Sequence, residues 1–318
     1  MPALLTHHLF GGTALPRLPA GLVADEDQRD AFLLGNQGPD PFFFAVTTTR
    51  GGSVRSMGHL MHTERMAASF EVLRSSVERL PEADRAVGRA FVCGMLGHYV
   101  LDRTAHPFVY AHEFELCDDN PELHDAYHEV HALIESDIDA AMLRRLKGVD
   151  VRAFAPVRAL DASPRVLRAA GALLAQCASV VYSLPLRATD YANALGDMRL
   201  CYRAIEPAGS RRSRRLGAVE RAVRPHSQLE ALAHRVDIPA DAPAMNMGRQ
   251  PWVDPFCGET SRDSFFDRFE AAGRTYHLLL TQLLDGADTR NITRGLDYEG
   301  RQLDANESPL PPDPTRPL

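Results

Sequence analysis

Three side chains that can bind a metal follow one another at four-residue intervals within residues 90–107: His98, Asp102 and His106. Residues four apart lie on one face of an α-helix, so these side chains would project together. The residues around them are apolar, and a buried helix must provide partners for its polar groups. Imidazole nitrogen and carboxylate oxygen are both zinc ligands. The triplet is therefore consistent with a metal site, and equally with a core helix whose histidines make ordinary hydrogen bonds.

A second pair with the same spacing, His131 and Glu135, lies in a predicted helix over residues 124–146, and Asp139 continues its series. Ten of the 13 histidines lie between His7 and His131, where carboxylates also recur at helical spacing. Two neighbouring helices would thus each carry a histidine and a carboxylate on one face. This clustering favours a metal centre over a chance scatter of histidines.

Three further candidates precede these helices. His7 lies in the Thr-His-His sequence near the N-terminus, and His62 lies near the start of a predicted amphipathic helix over residues 59–80. Asp40 lies in a Gly-Pro-Asp-Pro sequence, which is typical of a turn. Such a turn either presents Asp40 to a site or uses its carboxylate as a cap, and by itself the pattern favours the cap.

The remaining pattern is helical. A central helix is predicted over residues 83–105, limited by Pro107 because the residue before a proline avoids the α region. A loop follows over residues 107–123, and further helices are predicted over residues 166–184, 187–205, 217–236 and 264–284. No β-alternation of convincing length is present. We therefore expect one all-α domain over residues 1–300, with the metal site in residues 5–140 and supporting helices in residues 160–285. Residues 304–318, rich in proline, are predicted to form a disordered tail.

Composition excludes several classes of function. The net charge of −7 argues against a general nucleic-acid binder and gives no broad attraction to anionic lipid. The five cysteines lack the spacing of a disulfide framework or a cysteine-type zinc site.

Residues 169–186 are uncharged but favour a core helix over a membrane span. The N-terminal sequence has no signal-peptide pattern, so a cytoplasmic location is expected. The arginine run at residues 211–215 favours a solvated loop or helix start over a phosphate or nucleic-acid patch.

Together these segments resemble the zinc-dependent phospholipase C family of bacteria, an all-helical fold that also includes P1-type nucleases. The matching pieces cover about residues 5–140 in the order of the family: Thr6-His7, Gly38-Pro39-Asp40, His62, His98 with Asp102 and His106, and His131 with Glu135 and Asp139.

The resemblance implies a cluster of up to three zinc ions. Carried onto this chain, the first zinc would have four ligands: Asp40, His62, His98 and Asp102. The second would be held by His106, His131 and Glu135, and His7 with Asp102 would begin a third. We expect two ions, because secreted members begin with a tryptophan whose free amine helps to bind the third, whereas this chain begins Met1-Pro2.

The activity that the resemblance implies is hydrolysis of a phosphodiester, above all a phospholipid, by a zinc-activated water. Clustered cations suit this chemistry because they polarise phosphoryl oxygens and acidify a bound water. Asp40 would ligate zinc or take the proton of that water, and is the predicted catalytic residue.

Three alternatives remain. A P1-type nuclease would share the metal site, although the acidic charge predicts no stable nucleic-acid partner. The doublet His124-Asp125 is typical of HD-domain phosphohydrolases but leaves the other candidates without a role. A non-catalytic zinc site would hold helices together, yet would not explain the many oxygen ligands. The pattern gives no oligomeric state.

Overall fold

The computed structural model describes residues 4–48 and 51–310, and the regular structure in these ranges is almost entirely helical. Twelve α-helices are found there: Leu4–Ala14 (α1), Glu26–Gly35 (α2), Gly51–Thr63 (α3), Met66–Ser76 (α4), Arg85–Asp119 (α5), Tyr127–Lys147 (α6), Pro164–Tyr182 (α7), Ala188–Ile205 (α8), Arg211–Glu220 (α9), Gln228–Ala231 (α10), Phe265–Leu284 (α11) and Thr289–Thr293 (α12). The strands Trp252–Val253 (β1) and Thr260–Ser261 (β2) pair antiparallel. The predicted all-α fold is confirmed.

Helix α5 lies at the centre, packed against α2, α6 and α11. Neighbours cover it on all sides, so residues such as Phe91 are fully buried. Helix α2 approaches it backbone to backbone: a Cβ at Gly94 would lie 2.1 Å from the carbonyl oxygen of Phe32. This close approach brings the turn after α2, which carries Asp40, against the part of α5 that carries His98.

The predicted end of the central helix at Pro107 is wrong. Helix α5 continues through Pro107 to Asp119, over most of the predicted loop. A proline inside a helix removes one hydrogen bond and displaces the preceding turn. The carbonyl oxygen that loses its helical partner is that of Arg103, and the Nε of Arg268 donates to the adjacent carbonyl oxygen, of Thr104, at 2.9 Å, which ties this turn to α11. The apolar face beyond Pro107 is buried as well, and this packing favours continuation of the helix.

Other boundaries also differ from the predictions. The segment 59–80 is divided into α3 and α4, because Arg65 adopts a left-handed conformation between them. The predicted helix 217–236 is replaced by the C-terminal part of α9, a turn and the short α10, and α6 begins three residues later than predicted. Helix α1 was not predicted. Its sequence is apolar almost all round, a pattern without the periodicity of a surface helix.

The uncharged run at residues 169–186 lies largely in α7, whose buried face joins one connected apolar core with residues from both halves of the chain. No helix in the described ranges has the length and apolar character needed to cross a membrane.

The first part of the segment that was predicted to be a disordered tail makes defined contacts with the fold. Residues 304–310 are ordered, and Glu307 is tied to the start of α4: its backbone oxygen accepts from the Arg65 amide and its carboxylate from the Ala67 amide, each at 2.9 Å. The remainder of the predicted tail, residues 311–318, lies outside the described residues.

A buried polar network holds the N-terminus of α1 against α6. The carboxylate of Asp139 accepts hydrogen bonds from the backbone amides of Leu5 and Thr6, both at 2.7 Å. The imidazole of His234 lies between two carboxylates, 3.0 Å from Asp139 Oδ2 and 2.6 Å from Glu206 Oε1. Asp139, a member of the predicted series on α6, therefore caps α1 and fixes the helix that carries His7.

His234 makes stability depend on pH. Burial opposes its charged form, but Glu206 and Asp139 outweigh burial and raise its pKa to about 10. The stabilisation is fully present below the unfolded pKa of about 6.5 and is lost as pH rises through 10. We expect the free energy of unfolding of the native protein to fall by several kcal/mol over this window relative to His234→Gln. Urea unfolding across the window measures the difference, with the exposed His59→Gln as control. Parallel pH profiles of the native and His234→Gln proteins would contradict the assignment.

Candidate metal centre

The eight predicted ligands come from five elements and are all buried. Helix α1 carries one, the 3₁₀ turn Asp40–Phe44 one, α3 one, α5 three and α6 two: His7; Asp40; His62; His98, Asp102 and His106; His131 and Glu135. In space they form two neighbouring clusters. Cluster 1 comprises His7, Asp40, His62, His98 and Asp102, and cluster 2 comprises His106, His131 and Glu135.

Cluster 1 contains two overlapping groups whose ligand atoms lie within 4.8 Å of one another. The Nε2 of His62 is 3.1 Å from Asp40 Oδ1 and 3.9 Å from Asp102 Oδ2. The Nε2 of His98 is 3.6 Å from Asp40 Oδ1 and 3.1 Å from Asp102 Oδ2. One group consists of His7, Asp40 and His98 and the other of His62, His98 and Asp102, so His98 is common to both, and each offers the nitrogen and oxygen ligands that zinc binds.

Asp102 joins this group to His7. Its Oδ1 lies 2.9 Å from the Nε2 of His7, while its Oδ2 faces His98. The rings of His7 and His98 stack with centroids 4.1 Å apart. Asp102 therefore has the position of a bridging carboxylate between two groups of ligands.

Cluster 2 forms where α5 and α6 pack together. Glu135 Oε1 lies 3.5 Å from the Nε2 of His106 and 3.4 Å from the Nε2 of His131. The ring of Tyr110 packs against both imidazoles, with centroids 4.9 Å from His131 and 6.0 Å from His106. Two nitrogens and one carboxylate therefore face one point, and their role as zinc ligands stays a prediction.

In four of the five cluster histidines, all except His7, an acceptor holds the outer nitrogen. Carbonyl oxygens lie 2.7 Å from Nδ1 of His62, 3.0 Å from that of His98 and 2.9 Å from that of His106. The Nδ1 of His131 donates to Glu113 Oε2 at 2.7 Å. These acceptors require a hydrogen on Nδ1, so in the neutral imidazole the lone pair lies on Nε2, the nitrogen that faces each cluster. Metal-bound histidines are characteristically oriented in this way.

Several buried polar atoms at the site lack a hydrogen-bond partner among the described residues. They include Asp40 Oδ2, His7 Nδ1 and the Nε2 atoms of His98 and His131. Buried polar atoms without partners are costly, and each one in a native fold calls for an explanation. A bound cation would satisfy the imidazole and carboxylate atoms that face one another here, so the residues fit the zinc that the resemblance implies.

Charges in both clusters are strongly coupled. Burial would raise the pKa of the Asp102 carboxyl, but His98 and His7 outweigh burial and hold it well below its usual range. Burial likewise opposes charging of His106, yet Glu299, Asp102 and Glu135 raise its pKa to about 10. The Asp102 carboxylate is thus stabilised as an anion. Zinc would take the place of protons on the imidazoles, so its binding releases protons.

A small internal cavity lies between the clusters. Its volume is about 10 Å³, near the minimum for one water molecule. The polar part of its wall comes from both clusters: His7, Asp102, His106 and Glu135. Both clusters therefore border one shared space.

The turn that carries Asp40 is shaped by Gly38. Gly38 has a φ of +55°, and a Cβ there would lie 2.3 Å from the ring of His98. Its carbonyl oxygen accepts a hydrogen bond from Tyr191 at 3.1 Å. Only glycine lets the turn pass this close to His98, which gives the Gly-Pro-Asp sequence a physical role beyond capping.

Three residues of the site were not predicted. Glu113 holds His131, Tyr298 packs its ring 4.7 Å from that of His62, and Glu299 Oε2 lies 3.4 Å from His106 Nδ1. Glu113 lies seven residues, or two helical turns, after His106 on α5. The sequence predicted a loop in this region, so the helical spacing was not recognised. Tyr298 and Glu299 come from the C-terminal segment, and no sequence spacing relates them to α5.

Replacing Glu113 by Gln is expected to weaken zinc binding at cluster 2 by about 10–100-fold, the usual effect of losing an outer carboxylate. The amide keeps the size of the side chain but removes the charge that supports the Nδ1 hydrogen of His131. Zinc titration against a competing chelator measures the change. The exposed Glu115→Gln on the same helix is the control. Equal affinities in the two variants would show that Glu113 is not a positioning residue.

The other histidines of uncertain role lie outside both clusters. His8 packs against Phe154, and burial, with Arg29 and Lys147, lowers its pKa to about 4. His59, His124 and His128 are exposed. The side chain of Asp125 is 69 % exposed and pairs with His226 rather than with His124. The HD doublet is therefore an exposed feature that belongs to neither cluster, and no group of potential metal ligands in the described residues includes it.

The family model for zinc-dependent phospholipase C matches residues 6–175, more than half of the 318-residue chain. The matched range begins one residue before His7 and ends within α7, so it contains every residue of clusters 1 and 2. No curated protein and no solved structure matches the chain. By this match, and in agreement with the all-α fold, the chain belongs to the zinc-dependent phospholipase C family.

Proposed function

We propose that the protein hydrolyses a phosphodiester, with a phospholipid as substrate, at a centre of two zinc ions held by clusters 1 and 2. The observation that carries this proposal is the convergence of eight buried histidine and carboxylate side chains into two clusters that border one cavity. Mixed ligand sets of this kind, here five histidines and three carboxylates, are typical of catalytic zinc sites, whereas a structural zinc site is typically closed and rich in cysteine.

Zinc bound there would polarise phosphoryl oxygens and lower the pKa of a water, the chemistry that this reaction requires. The ligands of the first ion would be Asp40, His62, His98 and Asp102, and those of the second His106, His131 and Glu135. Their imidazoles are oriented in advance by the Nδ1 hydrogen bonds, so little rearrangement would accompany binding. His7 and Asp102 would begin a third site, which we propose to be the weakest of the three.

Asp40 would act as the base. Its Oδ1 faces His62 and His98, whereas its Oδ2 has no hydrogen-bond partner in the described part of the chain. One oxygen can therefore take part in ligation while the other accepts the proton of the attacking water. The 3₁₀ turn and Gly38 fix the carboxylate, which favours proton transfer over a defined distance.

The expected activity distinguishes the proposal from its alternatives. The zinc-loaded protein would be incubated with a soluble phosphocholine diester, with phosphatidylcholine and with single-stranded RNA and DNA. We expect release of the phosphorylated head group from both choline substrates. Cleavage of nucleic acid alone would instead favour a P1-type nuclease, and no cleavage of any diester by zinc-loaded protein would favour a non-catalytic zinc site.

A further inference from the structure

The segment formed by α9 and the turn after it is strongly basic. Residues 211–224 contain six arginines and one glutamate, a formal charge of +5 in a chain whose net charge is −7. All six arginines are exposed. We call the exposed side chains of residues 211–224 the arginine surface. The acidic total of the chain conceals this local concentration of positive charge.

The arginines divide into two sets. Arg221 pairs with Glu230, Arg224 pairs with Glu129 and Glu220, and Arg212 donates to the carbonyl oxygen of Arg203, so these three join the segment to the fold. The other three, Arg211, Arg214 and Arg215, are called the first set. They form no ion pair with any residue in the described ranges 4–48 and 51–310. Three guanidinium groups are thus presented to solvent without an acidic partner.

Stability of the helix does not explain the first set. Arg211 lies in the first turn of α9, where the helix dipole disfavours positive charge, and Arg214 and Arg215 lie in the second turn. Ser210 caps the helix through its side chain, and no acidic residue occupies the first turn. Because neither the helix dipole nor an acidic neighbour in the described ranges favours these cations, their placement points to an external anionic partner.

Apolar side chains continue the same surface. Val219 and Val223 are 71 % and 86 % exposed. Val219 follows Arg211 and Arg215 at four-residue intervals on α9, and Val223 lies in the turn after the helix. Exposed arginines beside apolar side chains are the chemistry with which amphipathic helices contact anionic membranes.

The arginine surface adjoins the end of the helix that carries cluster 2. Arg224 contacts Glu129, which lies two residues before His131 on α6, and His226 contacts Asp125 just before that helix. A flat anionic surface against α9 would therefore lie beside the end of α6 that bears His131.

We infer that the arginine surface docks the protein on membranes containing anionic phospholipid. This inference rests on the proposed function in one respect, since a phospholipase must reach lipid within a bilayer. Positive charge complements the acidic head groups, and Val219 and Val223 would enter the interface between head groups and acyl chains.

The test is flotation of the zinc-loaded protein with vesicles of phosphatidylcholine, with and without phosphatidylglycerol, at low and physiological ionic strength. Released head group is measured in the same tubes to correct for lipid consumed. The variant Arg211→Gln/Arg214→Gln/Arg215→Gln is expected to lose roughly 100-fold in partitioning to the anionic vesicles, about fivefold for each arginine. The control Arg274→Gln/Arg290→Gln/Arg294→Gln removes the same charge from exposed arginines on α11, on α12 and directly after α12, and should bind normally. Circular dichroism checks that both variants are folded.

The outcomes separate this inference from the proposed function. Salt-sensitive binding to anionic vesicles that only the α9 variant loses supports the arginine surface, even if no diester is cleaved. Three results would overturn the inference of membrane docking, even if a soluble phosphocholine diester is hydrolysed. These are equal binding to both vesicle types, equal losses in the two variants, and binding to nucleic acid in place of vesicles. Hydrolysis of that soluble diester should be unchanged in both variants.

Discussion

Asp40→Asn protein is expected to hydrolyse a soluble phosphodiester about 10²–10⁴-fold more slowly than the native protein, the usual scale of acid–base assistance. Asparagine preserves the size of the side chain but cannot take a proton from water. Zinc content should fall only modestly, because His62, His98 and Asp102 remain in cluster 1. Initial rates and zinc content of the same preparation measure the two effects separately.

The control for this substitution is Asp125→Asn, which changes an exposed carboxylate on the surface doublet and should leave the rate unchanged. If Asp40→Asn protein lost its zinc wholesale, Asp40 would be chiefly a ligand. Full activity in the Asp40→Asn protein would remove this residue from the mechanism, and loss of activity in the Asp125→Asn protein would revive the HD-type interpretation.

Replacing His131 by Ala is expected to abolish zinc binding at cluster 2 while cluster 1 keeps its ion, and to reduce diester hydrolysis by several orders of magnitude. Cluster 2 has only three ligands, and loss of one leaves a histidine and a carboxylate, too few to compete with a chelator. Cluster 1 shares none of these side chains. Zinc content after dialysis against a mild chelator, compared with that of the native protein, measures the loss.

The exposed His128→Ala on the same helix is the matched control for His131→Ala and should keep native zinc content and activity. Simultaneous loss of both ions from His131→Ala protein with native helix content would contradict two separately held ions. An unchanged zinc content would show that His131 is not a ligand.

Helical spacing alone predicted much of the arrangement on α5 and α6. Each residue of a helix turns by about 100°, so positions 98, 102 and 106 share a face but drift by 80° along it. This drift is the physical reason that His98 and Asp102 face cluster 1 while His106 faces α6 and joins cluster 2. The distribution of ligands between two clusters was implied by the family resemblance, since spacing gives no contact between separate helices.

Features that depend on tertiary contacts were not predictable in this way. The continuation of α5 through Pro107 follows from packing and from the hydrogen bond of Arg268 to Thr104, which lies 164 residues away in sequence. Tyr298 and Glu299 reach the clusters from a segment beyond the family match. The capping of α1 by Asp139 is likewise a long-range contact, so its position in the α6 series was a poor guide to its role.

A crystal structure of the zinc-loaded protein, with anomalous scattering recorded on both sides of the zinc absorption edge, tests the central claim most directly. We expect one zinc peak among Asp40, His62, His98 and Asp102 and a second among His106, His131 and Glu135, with zinc–nitrogen distances of about 2.0–2.1 Å to the Nε2 atoms. No peak at either cluster, or zinc bound at other residues while these imidazoles keep their carboxylate contacts, would contradict the assignment of the metal centre.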